Sequence, residues 1–232
     1  YTLEEVVTRE YLINERPDAI INIIDGSNLE RNLYLTTQLL EVGIPVVVAL
    51  NMMDIVEKNG DQINVAKLSA ELGCPVIETS AIKGSGLKAL ADEAVKLAKS
   101  NAKLAPHKTF SKDVEKTLTD IEAILEGKVK PEHLRWYAVK LFERDEKVMA
   151  AVKLDDSARS QIAELTKACE AALDDDAESI MTNERYKYIT GMIGKCITKK
   201  HKGNAMTTSD KIDRIVTNRI LALPIFAVVM FA

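Results

Sequence analysis

Two short polar strings carry the chemistry in this sequence: Asn51, Met52, Met53 and Asp54 in one, and Thr79, Ser80 and Ala81 in the other. Each closes a run of apolar, largely β-branched residues, at 44–50 and at 74–79. Loops at the C-terminal ends of adjacent parallel strands are where an open α/β sheet takes its ligand. An ionised Asp presents two acceptors side by side, which match the N1–H and exocyclic amino donors along one edge of guanine; adenine has no such pair. The Asn side chain can tie neighbouring loops together, and a backbone N–H in the Ser80 and Ala81 loop can donate to guanine O6, where adenine presents a donor. Each such group left unpaired costs about 1–3 kcal/mol, so together they discriminate between bases. Met52 lies between the two polar residues of the first string, and its thioether chain can cover one face of the base without adding charge.

The elements that position these strings follow from hydrophobic periodicity. Residues 3–15 place Leu3, Val6, Val7, Tyr11 and Ile13 at mixed three and four spacing, an amphipathic helix that Pro17 ends. Residues 19–24 read as a buried strand closed by Asp25 and Gly26. Leu29, Leu33, Leu35, Leu39 and Leu40 give 28–42 a helical spacing that stops at Gly43. Strands at 44–50 and 74–79, with helices at 65–72 and 86–100, complete the series. Apolar strands alternating with helices predict an α/β fold with a parallel sheet covered on both faces.

After Ala105 and Pro106 the pattern changes. Residues 110–201 predict helices and no strand: Val114, Leu118, Ile121, Ile124 and Leu125 share a face, as do Leu134, Tyr137, Ala138, Leu141 and Phe142. Ile162, Leu165, Ala168, Cys169 and Leu173 continue the theme, and 180–197 is a further helical run, so this is an all-helical second domain. Lys195, Lys199, Lys200, His201 and Lys202 form a basic cluster, a helix opens at 209–216, and the thirteen residues 220–232 carry no charge. That run is shorter than the ~20 residues that span a bilayer, a length at which a buried core helix is the alternative. With basic residues on its N-terminal side it is read as the start of a transmembrane helix entered from the cytoplasm. The expected boundaries are therefore 1–104, 105–203 and 204–232.

Composition narrows the function further. Thirty-one basic against 35 acidic residues give a formal charge of -4, which argues against a nucleic-acid partner. Cys74, Cys169 and Cys196 include no CxxC pair and no His at ligand spacing, so reduced, buried thiols are expected. His107, His133 and His201 are dispersed and read as surface or loop histidines, and no metal site is predicted. Asp174, Asp175, Asp176 and Glu178 read as a solvated turn leading into the next helix, and Trp136 and Tyr137 as core. The ten glycines include no GxxxxGK[ST], and the chain holds no DxxG, so nothing here cradles phosphates. No catalytic residue is assigned, and the chain as given is expected not to hydrolyse GTP.

Asp25 through Thr36 with Gln38, Leu39 and Leu40, Asn51 through Asp54, and Leu72, Gly73, Cys74, Pro75 and Val76 resemble the ferrous iron transport protein B family. So do Ser209 through Asp213, Asn218, Arg219, and Leu223 through Phe226, which are similar to that family's entry into its first membrane helix. The resemblance covers nearly the whole chain, least distinctively 105–175. It implies part of a Ras-like P-loop GTPase sheet with three remaining strands, a helical domain that slows nucleotide release, and a polytopic membrane domain that conducts Fe(II). It places residues 1–15 in the second switch region, carries Asn51, Met52, Met53 and Asp54 over as base readers, and carries Ser80, Ala81 and Ile82 over as the loop around guanine O6. The implied cofactor is GTP or GDP, with Mg2+ and K+ ligands in a segment preceding residue 1. The implied partners are guanine nucleotide, Fe(II) as transported substrate and the cell inner membrane, with 1–203 on its cytoplasmic side. The family's sheet order leaves residues 20–24 as an apolar edge, which predicts self-association.

Two other readings stay open. One is a soluble ribosome-assembly-type GTPase fragment, against which the basic cluster and apolar tail argue. The other is a non-enzymatic α/β interaction module in which the NxxD string is an ordinary turn.

Overall fold

A computed structural model describes residues 3–100 and 109–198. The helix α1 (Leu3–Asn14) leads into the strand β1 (Ile20–Asp25), whose Asp25 accepts hydrogen bonds from the Ser27 N–H at 2.8 Å and hydroxyl at 2.7 Å. A short 3-10 turn then opens α2 (Leu29–Glu41). The strand β2 (Val46–Asn51) follows, then α3 (Met53–Lys58), β3 (Gln62–Ile63), α4 (Val65–Leu72), β4 (Val76–Glu78) and α5 (Leu87–Lys99). β1, β2 and β4 form a parallel sheet in that order, with Ile20 opposite Val46 and Val48 opposite Val76.

Alternation sorts the sheet's two faces. Ile24, Val46, Val48, Leu50 and Val76 join the main core, which includes Leu33 and Leu40 of α2 and Leu68 and Leu72 of α4. On the other face Val47 and Ala49 pack beneath Leu90 of α5. β2 is therefore apolar at every buried position because helices cover both its sides. β1 differs: Ile21 is 45% and Ile23 66% exposed, so the face that α5 covers on β2 is bare there. Its one polar inward residue, Asn22, is buried and donates to the Thr36 hydroxyl at 2.7 Å.

The second part is built from α6 (Lys112–Leu125), a 3-10 turn (Pro131–His133), α7 (Leu134–Phe142), α8 (Glu146–Ala151), α9 (Asp156–Leu173) and α10 (Ala177–Cys196). Asp145, Asp155 and Asp176 start α8, α9 and α10 by accepting from the N–H groups of Val148, Ala158 and Ser179. Asp176 thus ends the acidic run as a helix cap. The core of these helices, with Trp136 buried in it, is continuous with that of the sheet. α10 is the strut between the two parts: Arg185 pairs with Glu41 of α2, and the Tyr188 hydroxyl donates to the carbonyl of Glu71 in α4. Arg9 of α1 adds a 2.9 Å ion pair to Asp145.

Three features depart from expectation. The segment 110–201 holds a strand after all, β5 (Ile197–Thr198), which pairs antiparallel with β3. Two residues per strand are too few for alternation to register in a sequence. Met53 and Asp54, expected in a loop, open the helix α3 (Met53–Lys58), whose six residues show no full amphipathic period. His133 is only 4% exposed rather than a surface histidine; the Tyr137 ring packs edge-on against it at 6.4 Å. Besides these, the polar Thr36, Thr37 and Glu41 of α2 are buried, Thr36 and Thr37 donating to the Asn32 and Tyr34 carbonyls and Glu41 accepting from Arg185.

The three cysteines are free and buried, as expected. Burial pushes the Cys74 thiol up to about 12, which makes it an inert core group. Among the described residues no helix is long and apolar enough to cross a membrane. The linker at 101–108, His107, His201, most of the basic cluster and the run at 220–232 lie outside the described residues.

Candidate functional site

The two polar strings meet at one end of the sheet. Asn51 is the last residue of β2, and Thr79 follows β4 directly. The Thr79 N–H donates to the Leu50 carbonyl at 2.8 Å, which extends the strand pairing by one step. Two residues further on, the Ala81 N–H donates to Asn51 Oδ1 at 3.2 Å. The Asn side chain therefore ties the two loops together.

Met52 turns the chain out of β2 in the left-handed region, with φ 61 and ψ 29. That conformation is costly for an unbranched L residue by about 1–2 kcal/mol and is tolerated where the surroundings fix it. Its consequence is to launch α3 immediately, so Met53 and Asp54 sit in the first turn of a helix rather than in a loop. Met53 packs against the main core, whereas Met52 is 40% exposed at the rim. Asp54 is partly buried, and among the described residues no hydrogen bond or ion pair engages its carboxylate.

The loop after β4 is closed on itself. Ser80 and Ser85 exchange backbone hydrogen bonds, each 3.2 Å, the Lys83 N–H donates to the Ser80 hydroxyl at 3.4 Å, and the Gly84 N–H donates to the Ala81 carbonyl at 3.4 Å. Thr79 and Ser80 are buried by this closure, and Ile82 stands at its tip, 91% exposed. Among the described residues the Ile82 N–H has no acceptor. The structure thus brings together Asn51, Ser80 and Ala81, aligns Met52 and Asp54 beside them, and leaves Met53 as a packing residue. Gly26, in the turn after β1, lies against the back of Asn51: a Cβ there would stand 3.1 Å from the Asn51 carbonyl oxygen.

Sequence reasoning missed the Ser80 and Ser85 bridge and the role of Gly86 behind it. The only signal was the spacing of Gly84 and Gly86 after the Ser80 and Ala81 pair, which also fits a simple helix start. Among the described residues no group of three His, Cys, Asp or Glu side chains could hold a metal ion.

The arrangement has counterparts in known proteins. A family described as ferrous iron transport protein B matches residues 1–94, and one described as the FeoB cytosolic helical domain matches residues 110–198. NFeoB from S. thermophilus bound to mGMPPNP superposes with a TM-score of 0.79 at 40% identity, covering 88% of this chain and 76% of that one. The chain belongs to the ferrous iron transport protein B family. NFeoB from S. thermophilus bound to GDP.AlF4- and K+ is similar at 41% identity and a TM-score of 0.79, covering 83% and 75% of the two chains. A Fe(2+) transport protein A/Fe(2+) transporter FeoB fusion protein of Porphyromonas gingivalis is 38% identical across this whole chain, and the Fe(2+) transporter FeoB of Escherichia coli K12 is 34% identical over 99% of it. The chain spans 29% of the length of each of these curated relatives. The part of the family that it represents is the Ras-like parallel sheet with its helical domain.

Proposed function

We propose that this chain is a guanine-nucleotide-binding region of a Fe(II) membrane transporter, in which residues 1–104 supply the base-reading half of a GTPase domain and 105–203 a helical domain that slows nucleotide release. The observation that carries the reading is the link from Ala81 N–H to Asn51 Oδ1, which holds two loops in register beside a carboxylate, Asp54, with no protein partner among the described residues. In this reading Asp54 accepts from guanine N1–H and the exocyclic amine, the Ile82 amide faces O6 while that of Ala81 stays on Asn51, and the exposed Met52 covers the ring. GTP hydrolysis coupled to ferrous iron uptake belongs to the full-length protein, as do the Mg2+ and K+ sites. Residues 204–232 lead into its first membrane helix, which sets residues 1–203 on the cytoplasmic side of the cell inner membrane. Nucleotide-bound relatives from S. thermophilus and the iron transporters of the family support this reading.

Titration of the 15N-labelled chain with GDP and with ADP tests it. GDP shifts the backbone amides of Asn51, Asp54, Ala81 and Ile82 in preference to ADP; equal responses to the two, or none to GDP, defeat it. Extending the reading frame is the complementary test: GxxxxGK[ST] upstream and long apolar spans downstream are expected, and their absence rejects the transporter assignment.

A further inference from the structure

The loop that presents the Ala81 and Ile82 amides is held from behind by one residue without a side chain. Gly86 is the N-cap of α5, with φ +77, and its carbonyl accepts from the Leu90 N–H at 2.9 Å in the first turn. A Cβ placed on Gly86 would lie 2.0 Å from the Glu78 carbonyl oxygen, 3.1 Å from its carbon and 3.2 Å from Thr79 Cα. All three atoms are main chain, so no rotamer change relieves the overlap. The end of β4 or the start of α5 would have to move, and Thr79 to Ala81 lie between them. Gly84, two residues earlier, also has a positive φ of +65, yet a Cβ there meets nothing within 4 Å. The same loop therefore contains a glycine needed for its backbone angle alone and one needed also for close approach.

We propose that Gly86 is a specificity-positioning residue: its close approach to Glu78 and Thr79 keeps the Ala81 amide on Asn51 and thereby places the open Ile82 amide, and so sets how well guanine O6 is read. The inference rests on the guanine reading above. It concerns the O6 edge alone, because Asp54 is carried by α3, while the atoms that crowd Gly86 belong to Glu78 and Thr79.

Three nucleotides separate the two edges. GDP carries both, 6-thio-GDP keeps N1–H and the amine but replaces O6 by a poor acceptor, and IDP keeps O6 but lacks the amine. In the unaltered chain, NMR titration should show each change weakening binding about tenfold, the scale of one unmet hydrogen bond. Gly86→Ala should weaken GDP about tenfold and shrink the 6-thio penalty to within about twofold, while the IDP penalty persists. Hydrogen exchange at the Ala81 amide should quicken in the same variant without nucleotide. Gly84→Ala, with the same kind of backbone strain and no overlap, should keep the 6-thio penalty. Gly86→Asn imposes the same Cβ overlap at lower conformational cost, since Asn tolerates positive φ, and serves if the Ala variant does not fold.

A 6-thio penalty retained in folded Gly86 variants overturns the inference and leaves the guanine reading standing. Failure of both Gly86 variants to fold also overturns it, because the glycine then serves the fold as a whole. If the unaltered chain does not prefer GDP to ADP, the guanine reading falls and this inference falls with it.

Discussion

Arg185 of α10 holds both carboxylate oxygens of Glu41 on α2, through Nε and Nη2 at 2.8 Å each, with only 2% and 4% of the two side chains exposed. Its remaining nitrogen reaches Glu143 at 2.7 Å, at the end of α7. One guanidinium thus joins the sheet-covering helix to two helices of the second part. Burial works against its charge, but the hydrogen bonds and charges of Glu41 and then Glu143 outweigh that, and the group is held above its ordinary value. Removing Glu41 leaves the Nε and Nη2 donors of a buried guanidinium unmet, with Glu143 alone beside its charge, and breaking such a buried pair costs about 3–5 kcal/mol. Glu41→Ala is therefore expected to lower the free energy of unfolding, read from denaturant titration, by that amount. Because the pair is sealed from solvent, 0.5 M salt should leave the difference nearly unchanged; a salt-sensitive loss of well under about 1 kcal/mol would mean the pair behaves as a surface bridge.

Asp54 gives the sharpest test of base recognition. In a protein extended to the relatives' full length, Asp54→Asn replaces one of two acceptors by a donor and sets it against the guanine amine. GTP affinity should fall about 10- to 100-fold, and xanthine nucleotides, which present an acceptor there, should gain. Competition binding measures both, and unchanged GTP affinity would remove Asp54 from the site.

The chain's parallel sheet was legible because β2 is buried on both faces, which leaves an unbroken apolar run at Val46, Val47, Val48, Ala49 and Leu50. α4 was legible to the residue, since Asn64 caps it and Leu68 and Leu72 face the core. What stayed hidden depends on partners distant in sequence. Ile63 and Ile197 become strands only by meeting each other, and His133 is buried only because α7 turns Tyr137 against it. In the candidate site, the adjacency of Asn51 and Ala81 followed from two strand ends, but the left-handed Met52 that lifts Asp54 into α3 left no compositional trace.

His133 predicts an acid-side loss of stability. Burial first, then the positive charge of Arg16, lowers its pKa from the ordinary value of 6.5, with Glu132 opposing. The unfolded chain therefore takes up a proton near pH 6.5 that the folded chain refuses until lower pH. The sign is that of a neutral buried histidine: its contribution is intact above 6.5 and declines as pH falls below it. Thermal denaturation between pH 7.5 and 5.5 should show this decline in the unaltered chain and a flatter profile in His133→Gln. An equal slope in both would place the acid sensitivity elsewhere.

The edge of the sheet yields the last prediction. β1 pairs with β2 alone among the described strands, and it shows Ile21 and Ile23 on the face left bare by α5. An apolar strand with one free edge is a template for pairing with another chain, and neither lysine nor proline lies within β1 to blunt it. The chain expressed alone is therefore expected to self-associate with rising concentration in detergent-free size-exclusion chromatography with light scattering. Ile23→Lys, at a 66% exposed position, changes no core contact and puts a charge on that face. It should shift the population toward monomer without lowering the thermal midpoint by more than about 0.5 kcal/mol equivalent, as surface substitutions do. A monodisperse monomer of the unaltered chain at high concentration would show that this edge is protected by other means.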